Sequence, residues 1–401
     1  MSKEKIPKGW GILKVKDIFD RFRNPVELIK DEKYTQIGIR SHGKGIFYKE
    51  AVTGEQLGNK SVFWVEPECF IVNIVFAWEM AVARTTKNDK GYIASHRFPM
   101  YKPKKAILDL DFITYFFKSS RGKYLLNLAS PGGAGRNKTL GQKEFEEVEI
   151  CLPLNVAEQK KIASILYTWD KAIELKEKLI EQKKEQKKGL MQKLLTGEVR
   201  LDGYSGEWKK EKIINLSDVY RGASPRPITD EKWFDNNSKI GWVRISDVTK
   251  SKKVLLNTEK TLSAEGIKKS RFVKKNNIIM SICATVGKPI ITGFDVCIHD
   301  GFVVFDKLKI NKDYFYYALL RIENSWSQYG QTGSQTNLNT NIVGNENIMF
   351  PDNLDEQEAI GYFFKRIDEE LHLFEREFEL IKQQKQALMQ QLLTGKIRVK
   401  V

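Results

Sequence analysis

The sequence predicts an α/β (mixed α+β) protein built as a pseudo-two-fold tandem duplication. It has two globular domains, each followed by one long helix, and the two helices pair as a coiled coil. Three observations carry this. The stretch from Asn155 to Arg200 recurs 198 residues later, from Asn353 to Arg398, without a gap and with 19 of 46 positions identical. Self-similarity at a fixed offset dictates architecture before any local feature does. Each copy carries apolar residues at alternating four- and three-residue steps, the mark of a helix seated on another helix. The copies also have complementary charge: 11 basic and 7 acidic residues in the first, 7 and 9 in the second.

In the second copy the seam runs through Ile360, Phe364, Ile367, Leu371, Phe374, Phe378, Ile381, Leu388 and Leu392, interrupted at Lys385. In the first it runs through Ile162, Leu166, Trp169, Ile173, Ile180, Leu190 and Leu194, interrupted at Lys176, Lys183 and Lys187. Roughly 40 helical residues at 1.5 Å each make a rod of about 60 Å, which cannot bury its own stripe. Pairing within the chain satisfies both stripes. The alternative is that each helix packs only on its own globular domain.

The chain has 401 residues, enough for two or three domains. Its 41% hydrophobic and 11% aromatic content supports real cores. Net charge is +16 and the pI about 9.4, which points to a polyanionic partner. The repeated helices contribute only +4 and −2, so the excess lies mainly in the globular parts. Four scattered cysteines, Cys69, Cys151, Cys283 and Cys297, form no CxxC pair and fit a reducing cytoplasm. The N-terminus has no apolar signal core, and the longest apolar run, Phe70 to Ala83, is too short to span a bilayer.

Taken in order, the first globular domain is expected over residues 1–154. The polar run from Gly38 to Gly45 reads as a loop, Ser61 to Val65 and Phe70 to Ala77 as strands, and Asp109 to Lys118 as a helix. Ser130 to Lys138 is a glycine loop with basic residues, and Glu146 to Pro153 a final strand. The first long helix is placed at residues 155–200, with Asn155 as N-cap, Glu158 completing a capping box, and Gly197 as the stop. A linker at residues 201–207 leads to the second globular domain, residues 208–352, and the C-terminal helix occupies residues 353–401. In that second domain Arg221 to Pro227 reads as a basic loop and Ile240 to Val248 as a strand with its exit. Asn277 to Cys283 and Gly301 to Phe305 read as buried strands, Asp313 to Glu323 as a helix, and Gly330 to Thr340 as a polar loop. The offset also matches Trp10 with Trp208 and Pro153 with Pro351, while the globular sequences otherwise diverge. A common frame thus presents two different heads.

No coherent catalytic set is visible. There is no NPPY or DPPY tetrapeptide and no GxxxxGK[ST] loop. The four histidines, His42, His96, His299 and His372, lack metal-ligand spacing. His96 and His299 precede apolar runs and read as structural, and His372 as a helix-surface residue. No cofactor or metal site is expected in this chain.

At this point the chain resembles the specificity subunit of a Type I restriction–modification enzyme over its whole length. The resemblance rests on the two helix starts, Ala157-Glu158-Gln159-x-x-Ile162 and Asp355-Glu356-Gln357-x-x-Ile360, and the two Leu-Leu-Thr-Gly ends at 194–197 and 392–395. Gly222-Ala223-Ser224-Pro225 and Trp242 through Asp247 resemble the family's GxTP and WxxxxD landmarks, which the first domain lacks. The resemblance implies two target-recognition domains that each read half of a split double-stranded DNA site. It implies antiparallel pairing of the two helices, which set the domain separation. Two modification (methyltransferase) subunits would dock there and methylate adenine with S-adenosylmethionine, and ATP-driven restriction subunits could join them. The subunit itself would do no chemistry.

Sequence is read in the major groove chiefly by Arg, Lys, Asn and Gln, and phosphates are held by Lys and Arg. The candidate DNA contacts are therefore the loop residues Arg40, His42, Lys44, Arg136, Asn137 and Lys138 in the first domain. In the second they are Arg221, Ser224, Arg226, Arg244, Ser334, Gln335 and Asn337. Three other kinds of protein fit parts of the pattern. A self-contained DNA methyltransferase or nuclease would transfer methyl groups or cut as the purified chain. A coiled-coil scaffold that binds DNA without reading it, or a homodimeric repressor, would need no modification partner.

Overall fold

The computed structural model describes residues 6–132, 138–329 and 338–401. The chain divides into two compact units of interleaved sequence: residues 1–177 with 377–401, and residues 178–376. Each long helix therefore contributes to both.

In the first unit a short antiparallel pair, Trp10–Lys14 with Glu149–Pro153, joins the start of the globular region to its end. Behind it lies a four-stranded antiparallel sheet in the order Phe19–Phe22, Met100–Pro103, Phe70–Val72, Val82–Arg84. The helix Leu110–Phe117 covers it, with Asp109 as N-cap. The predicted strand from Phe70 to Ala77 stops at Val72, because Asn73 turns its side chain back onto the Val75 N–H (3.1 Å) and a turn of 3₁₀ helix follows.

The second unit repeats the entry pair as Trp208–Lys212 with Asn347–Pro351. Its interior differs. A five-stranded sheet has Phe302–Asp306 and Ile278–Ser281 at its centre, and a four-stranded sheet contains the parallel pair Gly241–Val243 and Val296–Ile298. All four residues of Ile278–Ser281 are buried: Ile278, Ile279 and Met280 as an apolar run, and Ser281 with its hydroxyl donating to the Thr285 carbonyl.

The repeat region forms two α-helices of 39 residues each, Val156–Leu194 and Leu354–Leu392. Both packing alternatives hold at once. The first unit's core takes Ile162, Ala163 and Leu166 from the helix that follows it, and Leu392 and Leu393 from the end of the other. The second unit's core takes Ile360 and Phe364 from its own following helix, and Met191, Leu194 and Leu195 from the end of the first.

Within each unit the helices run antiparallel, since residue numbers fall along one as they rise along the other. In the first unit Glu158, Asp170 and Lys176 meet Arg398, Lys385 and Glu377. In the second Lys183, Lys187 and Arg200 meet Glu370, Asp368 and Glu356. The lysines that interrupt the apolar seam are thus paired across it. Two helices alone cover each stripe from one side only, so the long stems of these lysines lie along it and their ammonium groups reach carboxylates.

The helix ends differ from expectation in two respects: α-helix stops at Leu194 and Leu392, short of the expected 200 and 401, and the first helix lacks its expected capping box. Asn155 caps the first helix, accepting from the Ala157 N–H at 2.9 Å, but Glu158 does not complete a capping box. Its carboxylate is buried and taken by Arg398, with the Trp10 indole N–H at 3.4 Å. Gly197 closes the helix at φ +76°, with the Trp208 ring packed where a Cβ would sit, 2.9 Å away.

Candidate nucleic-acid interface

In the second unit the segment Arg221 to Arg226 is stitched along Ile298 to Phe302. Gly222 N–H donates to the Phe302 carbonyl (2.8 Å) and Ala223 N–H to that of Ile298 (3.1 Å). A Cβ on Gly222 would fall 2.0 Å from the His299 carbonyl oxygen, so the approach itself demands glycine. This places three candidate side chains around one aspartate, two on its carboxylate and one on its backbone carbonyl. The Ser224 hydroxyl donates to Asp300 Oδ1 (2.7 Å), Arg226 Nη2 lies 3.1 Å from Oδ2, and Arg221 Nε donates to the Asp300 carbonyl (2.8 Å). The Ser224 hydrogen bond, helped by neighbouring positive charge, holds the Asp300 carboxyl below its ordinary range.

Arg244 joins this group from the strand exit. Its guanidinium is 3.4 Å from Glu259 and close enough to His299 to disfavour a charged imidazole. Asp247 of the Trp-to-Asp landmark is buried. It accepts from the backbone N–H groups of Arg244 (2.9 Å) and Glu259 (3.2 Å), so it shapes the turn on which Arg244 stands. The segment beyond Val243 is a helix, Ile245–Lys250, rather than a continuing strand exit.

His299 is structural, as expected. Burial against Trp242 and Phe302 depresses its pKa from the ordinary 6.5, outweighing Asp300, and Nδ1 accepts the Gly301 N–H at 2.8 Å. A neutral imidazole is required for that acceptance. The folded pKa lies below the unfolded one, so the stabilisation is complete above pH 6.5 and drains away as pH falls below it. His299→Gln is therefore expected to flatten the loss of urea resistance between pH 7 and pH 5; an unchanged pH dependence would exclude this histidine as its source. His96, expected to be structural, is exposed at a turn after Ser95 and not packed into the core.

In the first unit the run from Gly38 is not wholly loop. Ile37–Ile39 and Ile46–Tyr48 form a hairpin whose tip carries Arg40, His42 and Lys44, all exposed. The tip is fixed by φ +60° at His42 and by N–H bonds from His42 and Gly43 to the carbonyls of Glu79 and Met80 (2.7 and 2.9 Å). Arg40 is folded back on its own hairpin, over the Phe47 ring and onto the Ile46 carbonyl (3.2 Å). Lys138 lies apart from the tip in sequence, bonded to Asn127 at 3.0 Å. Arg136, Asn137, Ser334, Gln335 and Asn337 fall outside the described residues.

Asp300 and Glu259 are not among the candidates that the sequence offers, which are basic, amide and hydroxyl residues of the loops together with His42. The signal available was weak: a single Asp beside a histidine. Among the described residues no group of three or more His, Cys, Asp or Glu could hold a metal ion, and no helix is long and apolar enough to cross a membrane.

The chain matches the family model for the Type I restriction modification DNA specificity domain twice, over residues 7–184 and 206–383. It is 25% identical over 431 residues to the Type I restriction enzyme MjaVIII specificity subunit of Methanocaldococcus jannaschii, covering 99% of this chain and 95% of the relative. A putative MjaX specificity subunit from the same organism is 24% identical, covering 98% and 95%. Among solved structures, a chain from a study of type I R-M complex assembly and conformational transition superposes with TM-score 0.70 at 15% identity, covering 98% of this chain and 100% of that one. The HsdS subunit from Thermoanaerobacter tengcongensis gives 0.59 at 15% identity over 99% of both.

Proposed function

This chain belongs to the Type I restriction–modification DNA specificity domain family, as a non-catalytic specificity subunit with two DNA-recognition domains, and we propose that it reads a bipartite double-stranded DNA site with an unread spacer, one half per domain. It directs adenine methylation by two modification subunits, and restriction where restriction subunits join. S-adenosylmethionine and ATP belong to those partners, and the complex works in the cytoplasm. The observation that carries this is duplication of the frame with divergence of the heads. The repeat supports a partner present twice: Leu175 and Leu373 occupy equivalent positions and are 64% and 62% exposed. An exposed leucine is ordinary; the same one at both equivalent positions fits two copies of one apolar partner surface.

The test is genome-wide mapping of methyladenine with this gene exchanged for another specificity gene. The methylated motif should change with the gene. In the same assay Arg226→Ala should relax one half-site and leave the other intact, a loss of discrimination of about 10- to 100-fold at one base pair. A motif indifferent to the exchanged gene sinks the proposal. A uniform loss on all sequences would make Arg226 a phosphate contact.

A further inference from the structure

We infer that Asp300 is a specificity-determining positioning residue, holding Arg226 and Ser224 for base edges and turning phosphates away from them. The inference rests on the DNA-reading role. A carboxylate is out of place on a surface meant for a polyanion, yet Asp300 sits between Arg221 and Arg226 with its side chain 42% exposed. The ion pair alone does not explain it, because Arg226 is 76% exposed and a pair so open contributes little stability. Its geometry does. Both carboxylate oxygens are engaged, one by Ser224 and one by Arg226, so the two side chains leave the loop in a defined direction.

Two consequences separate base from phosphate. A guanine edge offers two neutral acceptors that an arginine can meet bidentately, and these can approach beside Asp300 without charge repulsion. A phosphate brought to the same guanidinium is repelled by the carboxylate. Arg226 is thereby discouraged from adding to sequence-independent binding, which consists almost wholly of phosphate contacts. Glu259 stands in the same relation to Arg244, at 3.4 Å.

The experiment measures binding of the full chain, in its modification complex, to two duplexes over a range of salt. One carries the motif found by methyladenine mapping; the other has the second domain's half-site scrambled. Asp300→Asn should tighten binding to the scrambled duplex several-fold and steepen its log–log salt slope by about one, the signature of one more phosphate contact. The ratio between duplexes should fall about tenfold. Asp230→Asn adds the same charge at an exposed Lys232 pair and should change neither the slope nor the ratio. Ser224→Ala, which frees one carboxylate oxygen without altering charge, should lower the ratio with little change in slope. Should Asp300→Asn behave as Asp230→Asn while the parent chain discriminates, the inference is overturned and the DNA-reading role stands. A parent chain blind to the scrambling overturns both.

Discussion

Arg200→Ala is expected to destabilise the second unit by about 3–5 kcal/mol. The Glu356 side chain is completely buried and its partner Arg200 is 25% exposed. The guanidinium meets it as a fork, with Nε at 3.0 Å from Oε1 and Nη2 on Oε2, while Nη1 donates to the Gly206 carbonyl at 2.7 Å. Truncation leaves a carboxylate with no counter-charge in a site water reaches poorly. Removing both partners in favour of apolar residues should recover most of the loss, because the pair's net worth is far smaller than the cost of halving it. The first unit provides an internal comparison. Arg398 holds Glu158 in the equivalent way, but the Trp10 indole also donates to that carboxylate, whereas the Trp208 indole has no hydrogen-bond partner among the described residues. Arg398→Ala should therefore cost less than Arg200→Ala. Urea denaturation of the full chain measures both, and equal small losses for the two would contradict the buried-pair account. The exposed Arg366–Glu369 pair, 64% and 47% accessible, should be worth under about 1 kcal/mol.

Phe364→Ala should cost a similar amount, about 3–5 kcal/mol. Its ring is fully buried in the second unit's core, 5.3 Å from the Tyr317 ring, at a point where the long helix and the globular domain share one interior. The Tyr317 hydroxyl donates to Asp368 (2.7 Å), and Asp368 accepts Lys187 at 2.6 Å, so a cavity here loosens a hydrogen-bonded frame as well as an apolar one. Leu373→Ala, one of the exposed repeat leucines, should stay within about 0.5 kcal/mol of the parent. Near-equal urea midpoints for the two variants would show that the helix is not part of that core.

The helices were legible because periodicity survives without context: the four- and three-residue steps of Ile360, Phe364, Ile367 and Leu371 state which face is covered. The landmark around Trp242 was legible as a unit, but the work of Asp247 was not. Its role is to accept the N–H of Arg244 and that of Glu259, 12 residues further along the chain. Asp300 was invisible for the same reason. A carboxylate acquires meaning from the groups that surround it, and Ser224 and Arg226 lie more than 70 positions away in sequence. Lys176, Lys183 and Lys187 read as faults in a seam until their partners on the other helix were known.

By itself the sequence determined the duplication, the two long helices, the kind of partner their charge and divergence call for, and the family. Those properties follow from composition and spacing along one chain. Only the tertiary structure decided that each core is completed by the far end of the other repeat, that the seam lysines are paired, and that Arg221, Ser224 and Arg226 all meet Asp300. These depend on which distant residues meet, and hydrogen bonds and ion pairs are won or lost at separations of a few ångströms that no linear pattern records.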